Sequence, residues 1–347
     1  ADKNDKRTIY MVDMHEPLMF LHNLDTTIKE PFASNPAVLD AVEKNHKKLQ
    51  IAMTKLYPGN LVLSLSSGIM YHRLVDRITA LNDVPREPLV PRRLGKNMCV
   101  PFGKILRGKV VPNTVTKTLH TDKVYEPDLN SFTIEPFPYY SPLKSQIETI
   151  KSFDRPVILV DDLVHTANRL QVLVPQLRED GIPIKKVVVG VLSGYGRDLM
   201  QCLKVPVESI YSMPNLRQWF VESTLYPFIG GDTVRREEMK VAGLQPSINM
   251  ILPYATPRLS GCSREALVEF SACCIENSRD LFQVLEAEYR KMYAKNLTLS
   301  RLSEAVILPL CPDKGSCMEY DENLAASVYL ENDLETLWRM KEFLIKG

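Results

Sequence analysis

The sequence predicts an α/β protein with a mainly parallel sheet flanked by helices, followed by a mainly helical C-terminal region. Three observations carry that expectation. Runs that are apolar throughout, such as "PVILV" (156–160) and "KVVVGVLSG" (186–194), suit strands covered on both faces. Segments with helical spacing alternate with those runs, as crossover connections between parallel strands require. Beyond residue 235 the pattern changes, and the segments 263–295 and 331–346 keep a helical period over most of their length.

The elements follow in order. "NLVLSLSSG" (60–68) reads as a strand ending in small residues. "IMYHRLVDRITALN" (69–82) brings Ile69, Met70, Leu74, Val75, Ile78 and Leu81 to one helical face. The strand 156–160 is followed by a helix over 169–180, closed by Gly181, in which Pro175 is the discordant residue. The strand 186–194 contains Gly190. A short helix (197–203) and a fourth strand (207–212) come next. This divides the chain into an N-terminal extension (1–40), an α/β domain (41–234) and a mainly helical region (235–347).

A chain of 347 residues is long enough for one large or two ordinary domains. Its 45% hydrophobic and 24% charged residues are those of a soluble globular protein. A net charge of +1 provides no global attraction to nucleic acid or membrane. No apolar run approaches the roughly 18 residues of a membrane span. The opening "ADKNDKRTIY" is charged and lacks the apolar core of a signal peptide. Seven cysteines, an odd number, argue against a disulfide framework and for a reducing, cytoplasmic setting. Cys273 and Cys274 read as small core residues. Cys311 and Cys317 are too loosely spaced for a zinc knuckle without a second pair. His15 and His22 are read as structural.

The stretch "RPVILVDDLVHTANRL" (155–170) carries the chemistry. Four apolar residues run into Asp161 and Asp162, and a short polar turn leads into a helix. In parallel sheets ligands bind at the carboxyl ends of strands. Two adjacent carboxylates repel, so a partner must compensate them. Vicinal hydroxyls could do so, as could a divalent cation held through water. A helix start offers unpaired amides and a partial positive charge, which suits a phosphate. Acids beside such a seat fit a sugar phosphate. The plainer alternative, that one aspartate caps the helix, does not account for a second.

The same stretch resembles the ribose-phosphate signature of type I phosphoribosyltransferases, in which four apolar residues, two acids, two apolar residues, a variable residue and Thr-Gly-Gly-Thr bind 5-phosphoribosyl-1-pyrophosphate. By position, the resemblance implies that Asp161 and Asp162 contact the ribose hydroxyls and that His165, Thr166, Ala167, Asn168 and Arg169 wrap the 5′-phosphate. Ala167 and Asn168 stand where the family has glycines, and Arg169 where it has Thr. Asn168 is expected to be the left-handed residue, and Arg169 to add a charged phosphate contact.

Two further segments fall into this frame. The resemblance assigns a pyrophosphate loop to the end of the first core strand, where Ser66, Ser67 and Gly68 stand. It assigns a basic hood between the two loops. There, residues 85–123 hold nine Lys or Arg against Glu87 and Asp122, a local +7, with Lys104, Arg107, Lys109 and Lys117 as ligand-binding candidates. Nucleic acid is the competing partner for such a segment. Downstream, Trp219, Phe220, Tyr226 and Phe228 lie where the family recognises its base, and Trp219 is the candidate contact. "GGD" at 230–232 is read first as a turn signal, with Asp232 a lesser candidate for function.

The resulting expectation is a phosphoribosyltransferase-like protein that binds 5-phosphoribosyl-1-pyrophosphate or a related nucleotide. Asp161 and Asp162 serve as catalytic groups and as indirect holders of Mg²⁺, which arrives with the pyrophosphate. Pentosyl transfer to a nitrogen base is the implied reaction. The alternative is a non-catalytic module that senses a nucleotide or sugar phosphate. A receiver-type phosphorylation site is disfavoured, because "VVVGVLSG" ends without an acceptor aspartate. No membrane partner is read, and a homodimer is left open.

Overall fold

The computed structural model describes residues 13–237, 241, 243–257, 259–314 and 320–346, so Cys317 lies outside the described residues. The chain opens with β1 (Asp13–His22), α1 (Pro36–Leu56), β2 (Asn60–Ser66), α2 (Ser67–Leu81), β3 (Met98–Pro101) and β4 (Val115–Thr116). Next come β5 (Thr121–Tyr125), β6 (Phe132–Pro136), α3 (Leu143–Lys151), β7 (Val157–Val164), α4 (Asn168–Glu179), β8 (Ile184–Ser193) and α5 (Gly194–Cys202). The remaining elements are β9 (Val207–Met213), β10 (Gln218–Val221), β11 (Asp232–Val234), β12 (Gln245–Ile248), α6 (Arg264–Tyr293), β13 (Leu310–Pro312) and α7 (Ala326–Lys346).

The protein is α/β with mainly parallel sheets. A five-stranded sheet of order β4-β3-β7-β8-β9 is parallel throughout. A three-stranded sheet of order β10-β1-β2 is also parallel. A third, mixed sheet runs β13-β12-β11-β5-β6.

Side-chain alternation along the apolar strands explains the layering. On β7, Val157 and Leu159 pack with Leu170, Leu173 and Leu177 of α4, while Ile158 and Val160 pack with Met70, Leu74 and Ile78 of α2. On β1, Met19 and Leu21 meet the same face of α2, whereas Leu18 and Phe20 face α1, α6 and α7. Helix α2 is therefore shared by the two parallel sheets, and both faces of β1 at Leu18–Leu21 and of β7 at Val157–Val160 are dry, as their apolar sequences demand. Gly190 of β8 belongs to this packing: a Cβ there would lie 2.1 Å from the Met70 sulfur.

Side-chain caps mark the starts of α1 and α6. Asn35 accepts hydrogen bonds from the amides of Ala37 (2.9 Å) and Val38 (3.3 Å), with Pro36 opening α1. Ser263 caps α6 through the amide of Ala266 at 3.1 Å. The two helices are stapled inside the core. Asn45 Nδ2 donates to the carbonyl of Asn277 (2.8 Å), and Asn277 Nδ2 to that of Asn45 (2.9 Å).

The expected boundaries at residues 40 and 234 cut across this architecture. β1, placed in an extension, pairs with β2 and β10. β12, placed in a helical region, pairs with β11, and α6 packs against α1. The C-terminal region does supply the two long helices, but β12 and β13 also join the sheet built on β5 and β6. At three and four residues these strands are too short for a period-two pattern to register. Among the described residues, no helix is long and apolar enough to cross a membrane.

Candidate functional site

Strand β7 does not stop at the acids. It runs on to Val164 because β8 continues beside it, pairing Asp161 with Val189 and Val164 with Leu192. Asp161 and Asp162 therefore sit on a rigid strand, and only His165, Thr166 and Ala167 separate that strand from α4.

What the acids meet is set by the neighbouring strand. β3 pairs with β7 up to Pro101 beside Val160, so the turn after β3, Phe102 to Arg107, lands on the carboxylates. The amide of Lys104 donates to Asp162 Oδ2 at 2.9 Å, and that of Ile105 to Oδ1 at 3.2 Å. Asp162 thus pins this turn to β7. The Asp161 carboxylate accepts the amide of Asp162 (2.8 Å) as its one hydrogen bond among the described residues. Arg169 spans the gap from the other side, donating from Nη1 to the Phe102 carbonyl at 3.1 Å.

These groups open onto a cavity of about 280 Å³. Its walls include Lys104, Arg107, Asp161, Asp162, residues 165–170, Trp219 and Asp232. Burial pushes the Asp161 carboxyl up to about 7, against the pull of Arg169. It raises Asp162 as well, although the Ile105 and Lys104 amides oppose this. Burial also raises Asp232. Lys104 is lowered to about 8, first by burial and then by repulsion from Arg107 and Arg169. Three cations are held against one another around this cavity, an arrangement a polyanion would relieve. Arg107 is steadied by stacking on Phe137, 4.4 Å from the ring centroid.

The sequence candidates divide in two. Asp161, Asp162, Lys104, Arg107, His165, Thr166, Ala167, Asn168, Arg169 and Trp219 come together around this cavity. Ser66, Ser67 and Gly68 are not among its lining residues. β2 belongs to the three-stranded sheet, and the Ser67 hydroxyl donates to Asp25 at 2.6 Å. The turn beside the acids is the one after β3. Lys109 and Lys117 also lie off the cavity, with the Lys109 ammonium over the Tyr71 ring at 4.2 Å. The expected hood is not one free loop: β3 and β4 bind it into the parallel sheet, and its last residues, 121–123, enter β5 of the mixed sheet. Phe220, Tyr226 and Phe228 are core residues.

Ala167, not Asn168, is the left-handed residue, with φ of 52°. It is the N-cap of α4, a position outside the helical dihedrals, whereas Asn168 is already helical. No side chain caps α4. Its first turn faces the cavity, with Asn168, Arg169 and Leu170 in the wall. His165 is tied to the neighbouring strand end: its Nδ1 lies 2.7 Å from Ser193 Oγ.

Gly103, Asp122 and Lys123 stand in the same wall and were not among the sequence candidates. "VPFGK" carried the one available signal, a glycine right after an apolar run. His22, expected to be structural, lies with His46 and Glu222 in a second polar cluster.

No protein-family profile matches the sequence, and no curated protein matches it. Among solved structures, the chain is similar to a purine phosphoribosyltransferase from Pyrococcus horikoshii OT3, at 14% identity and a TM-score of 0.26. The match covers 45% of this chain and 87% of the other. At that similarity, only the geometry of the site bears on function.

Proposed function

We propose that the cavity binds 5-phosphoribosyl-1-pyrophosphate or a closely related phosphoribosyl nucleotide, and that the chain is phosphoribosyltransferase-like. The observation that carries the reading is the convergence of the Asp161–Asp162 pair, the uncapped start of α4 and the three cations on one cavity. Asp161, with carboxylate capacity not taken up by the turn after β3, would accept the ribose hydroxyls. The amides at the start of α4 would receive the 5′-phosphate. Lys104 and Arg107 would face the pyrophosphate.

Transfer, on this reading, forms a bond from C1 of the ribose to a base nitrogen and breaks the C1–oxygen bond. The electron pair leaves with pyrophosphate, and the protein contributes by positioning and by stabilising the departing charge. Asp161 suits an oxygen-ligated Mg²⁺ held through water. When bound, that ion would supply further neutralisation of pyrophosphate.

Titration calorimetry with 5-phosphoribosyl-1-pyrophosphate and Mg²⁺ tests the ligand, with saturable binding at one site expected. A pyrophosphate-release screen over free bases then separates enzyme from sensor. The sensor reading has its own support in the Ala167 Cβ at a left-handed position and in the engagement of Arg169 with Phe102. Absence of binding would remove both readings.

A further inference from the structure

A second cluster of ligand-type side chains is built at the carboxyl end of the three-stranded sheet. β1 and β10 pair in register up to Leu21 beside Val221, so the next residues, His22 and Glu222, emerge side by side. α1 carries His46 over the same edge. Nδ1 of His22 and Nδ1 of His46 both address one oxygen, Glu222 Oε2, the latter at 2.9 Å. The two imidazole rings are 4.1 Å apart, and the three ligand atoms lie within 4.8 Å of one another.

We propose that His22, His46 and Glu222 form a binding site for a divalent transition-metal ion of the zinc type, with three protein ligands and a further position open to water. Two imidazoles and a carboxylate are a donor set that Zn²⁺ takes with an open position, and imidazole also suits Fe²⁺, Ni²⁺ and Cu²⁺. Hydrogen bonding alone uses the cluster poorly. It would aim two Nδ1–H donors at one oxygen and leave two rings in van der Waals range, with any charge on both in mutual repulsion. A cation among the three groups uses both lone pairs and the carboxylate together.

The surroundings match what a ligand set needs. The Tyr226 hydroxyl donates to the second Glu222 oxygen at 3.2 Å, and Ser64 Oγ lies 3.2 Å from His46 Nε2. Such outer partners orient ligands and fix the tautomer. Phe20 stacks on the His46 ring at 4.9 Å and holds its tilt. The Glu222 side chain is fully buried, while those of His22 and His46 are 27% and 16% exposed, so the cluster opens to solvent on the imidazole side.

The test uses the full chain, stripped with a chelator and titrated with Zn²⁺ against a chromogenic competitor. One equivalent is expected to bind, and to be weakened at least 100-fold in His46→Gln and in Glu222→Gln. Glu222 is buried, so circular dichroism checks the fold of its variant. If that variant misfolds, His22→Asn, at a partly exposed position, replaces it. The Asp161→Asn/Asp162→Asn double variant is expected to keep the equivalent, which separates this site from the cavity. X-ray absorption on the loaded chain is expected to show nitrogen and oxygen neighbours at about 2.0–2.1 Å rather than sulfur at about 2.3 Å. Sulfur neighbours, an equivalent untouched by the histidine variants, or no bound Zn²⁺ would each overturn the proposal.

Discussion

Gly103 and Asp162 fit together with no room for a side chain between them: a Cβ on Gly103 would lie 2.5 Å from Asp162 Oδ1 and 2.8 Å from Asp161 Oδ1. The absence of that atom lets the amides of Lys104 and Ile105 reach the Asp162 carboxylate. The same approach sets Lys104 and Arg107 opposite the start of α4. Gly103→Ala is therefore expected to push the turn off β7. The expected cost is about 1–3 kcal/mol of stability, as for overpacking in a well-fitted interior. Binding of phosphoribosyl pyrophosphate is expected to fall at least tenfold. Urea unfolding and calorimetry read the two effects, and a variant with unchanged affinity would show that the turn does not shape the site.

Asp161 and Asp162 are expected to behave differently although they are neighbours. Asp162 is occupied by two amides, so Asp162→Asn should loosen the turn and lower stability. The Asp161 carboxyl accepts the Asp162 amide and none from the turn, and in the folded protein it is raised to about 7 from 3.8. A carboxyl raised in the folded state contributes its full stability below the unfolded value, and that contribution is lost as pH rises through the folded one. Asp161→Asn should therefore match the wild type near pH 4 and exceed it at pH 8. The expected gain is at least ~1.4 kcal/mol, the equivalent of one pK unit. The same variant should bind the sugar phosphate at least tenfold more weakly, a loss of about 1.4 kcal/mol. Urea midpoints across this pH range check the first expectation. A gain at pH 4 rather than pH 8 would refute it.

These two residues also mark how far the sequence could be read. An apolar run entering two acids is a local signal, and so is the helix after it, so Asp161, Asp162 and residues 165–169 were legible. The turn that meets them was not. Ser66–Gly68 and Phe102–Lys104 both follow apolar strands, and only pairing decides which strand lies beside β7. Pairing is a long-range choice with no local mark in either segment. The cluster of His22, His46 and Glu222 shows the same limit, since Glu222 is 200 residues from His22 along the chain. The shared register of β1 and β10 that joins them is a long-range pairing. It does not follow from anything in "FLHNL" or "FVEST".

The basic segment is expected to divide as its geometry does. Lys104 and Arg107 line the cavity, while Lys109 and Lys117 do not. Neutralising Lys104 and Arg107 together should weaken pyrophosphate-bearing ligands well beyond ribose 5-phosphate. Each charge-assisted hydrogen bond to the pyrophosphate should contribute about 1.5–3 kcal/mol. Neutralising Lys109 and Lys117 should change either affinity less than about threefold at physiological salt, because charges off the cavity are screened by salt. Comparing both ligands with both pairs of variants by calorimetry checks this. Equal losses from the two pairs would mean that the segment acts as a diffuse field.

The turn into α4 bears on whether the site turns over. Ala167 holds a left-handed backbone that costs an L-residue roughly 1–2 kcal/mol and glycine almost nothing. Ala167→Gly should relieve that strain and leave phosphate affinity unchanged or improved. Glycine also gains freedom in the unfolded chain, so the net stability change should stay within about 1 kcal/mol. Arg169 is expected to matter in the opposite sense. Its guanidinium joins the start of α4 to Phe102 and adds positive charge beside Lys104. Arg169→Ala should therefore weaken 5′-phosphate binding at least tenfold, and the Lys104 ammonium, freed of one repelling neighbour, should titrate at higher pH. Chemical modification of Lys104 followed by mass spectrometry across pH reads that shift. If Arg169→Ala leaves both affinity and the Lys104 titration unchanged, the cations do not act as one group, and the proposed pyrophosphate seat loses its basis.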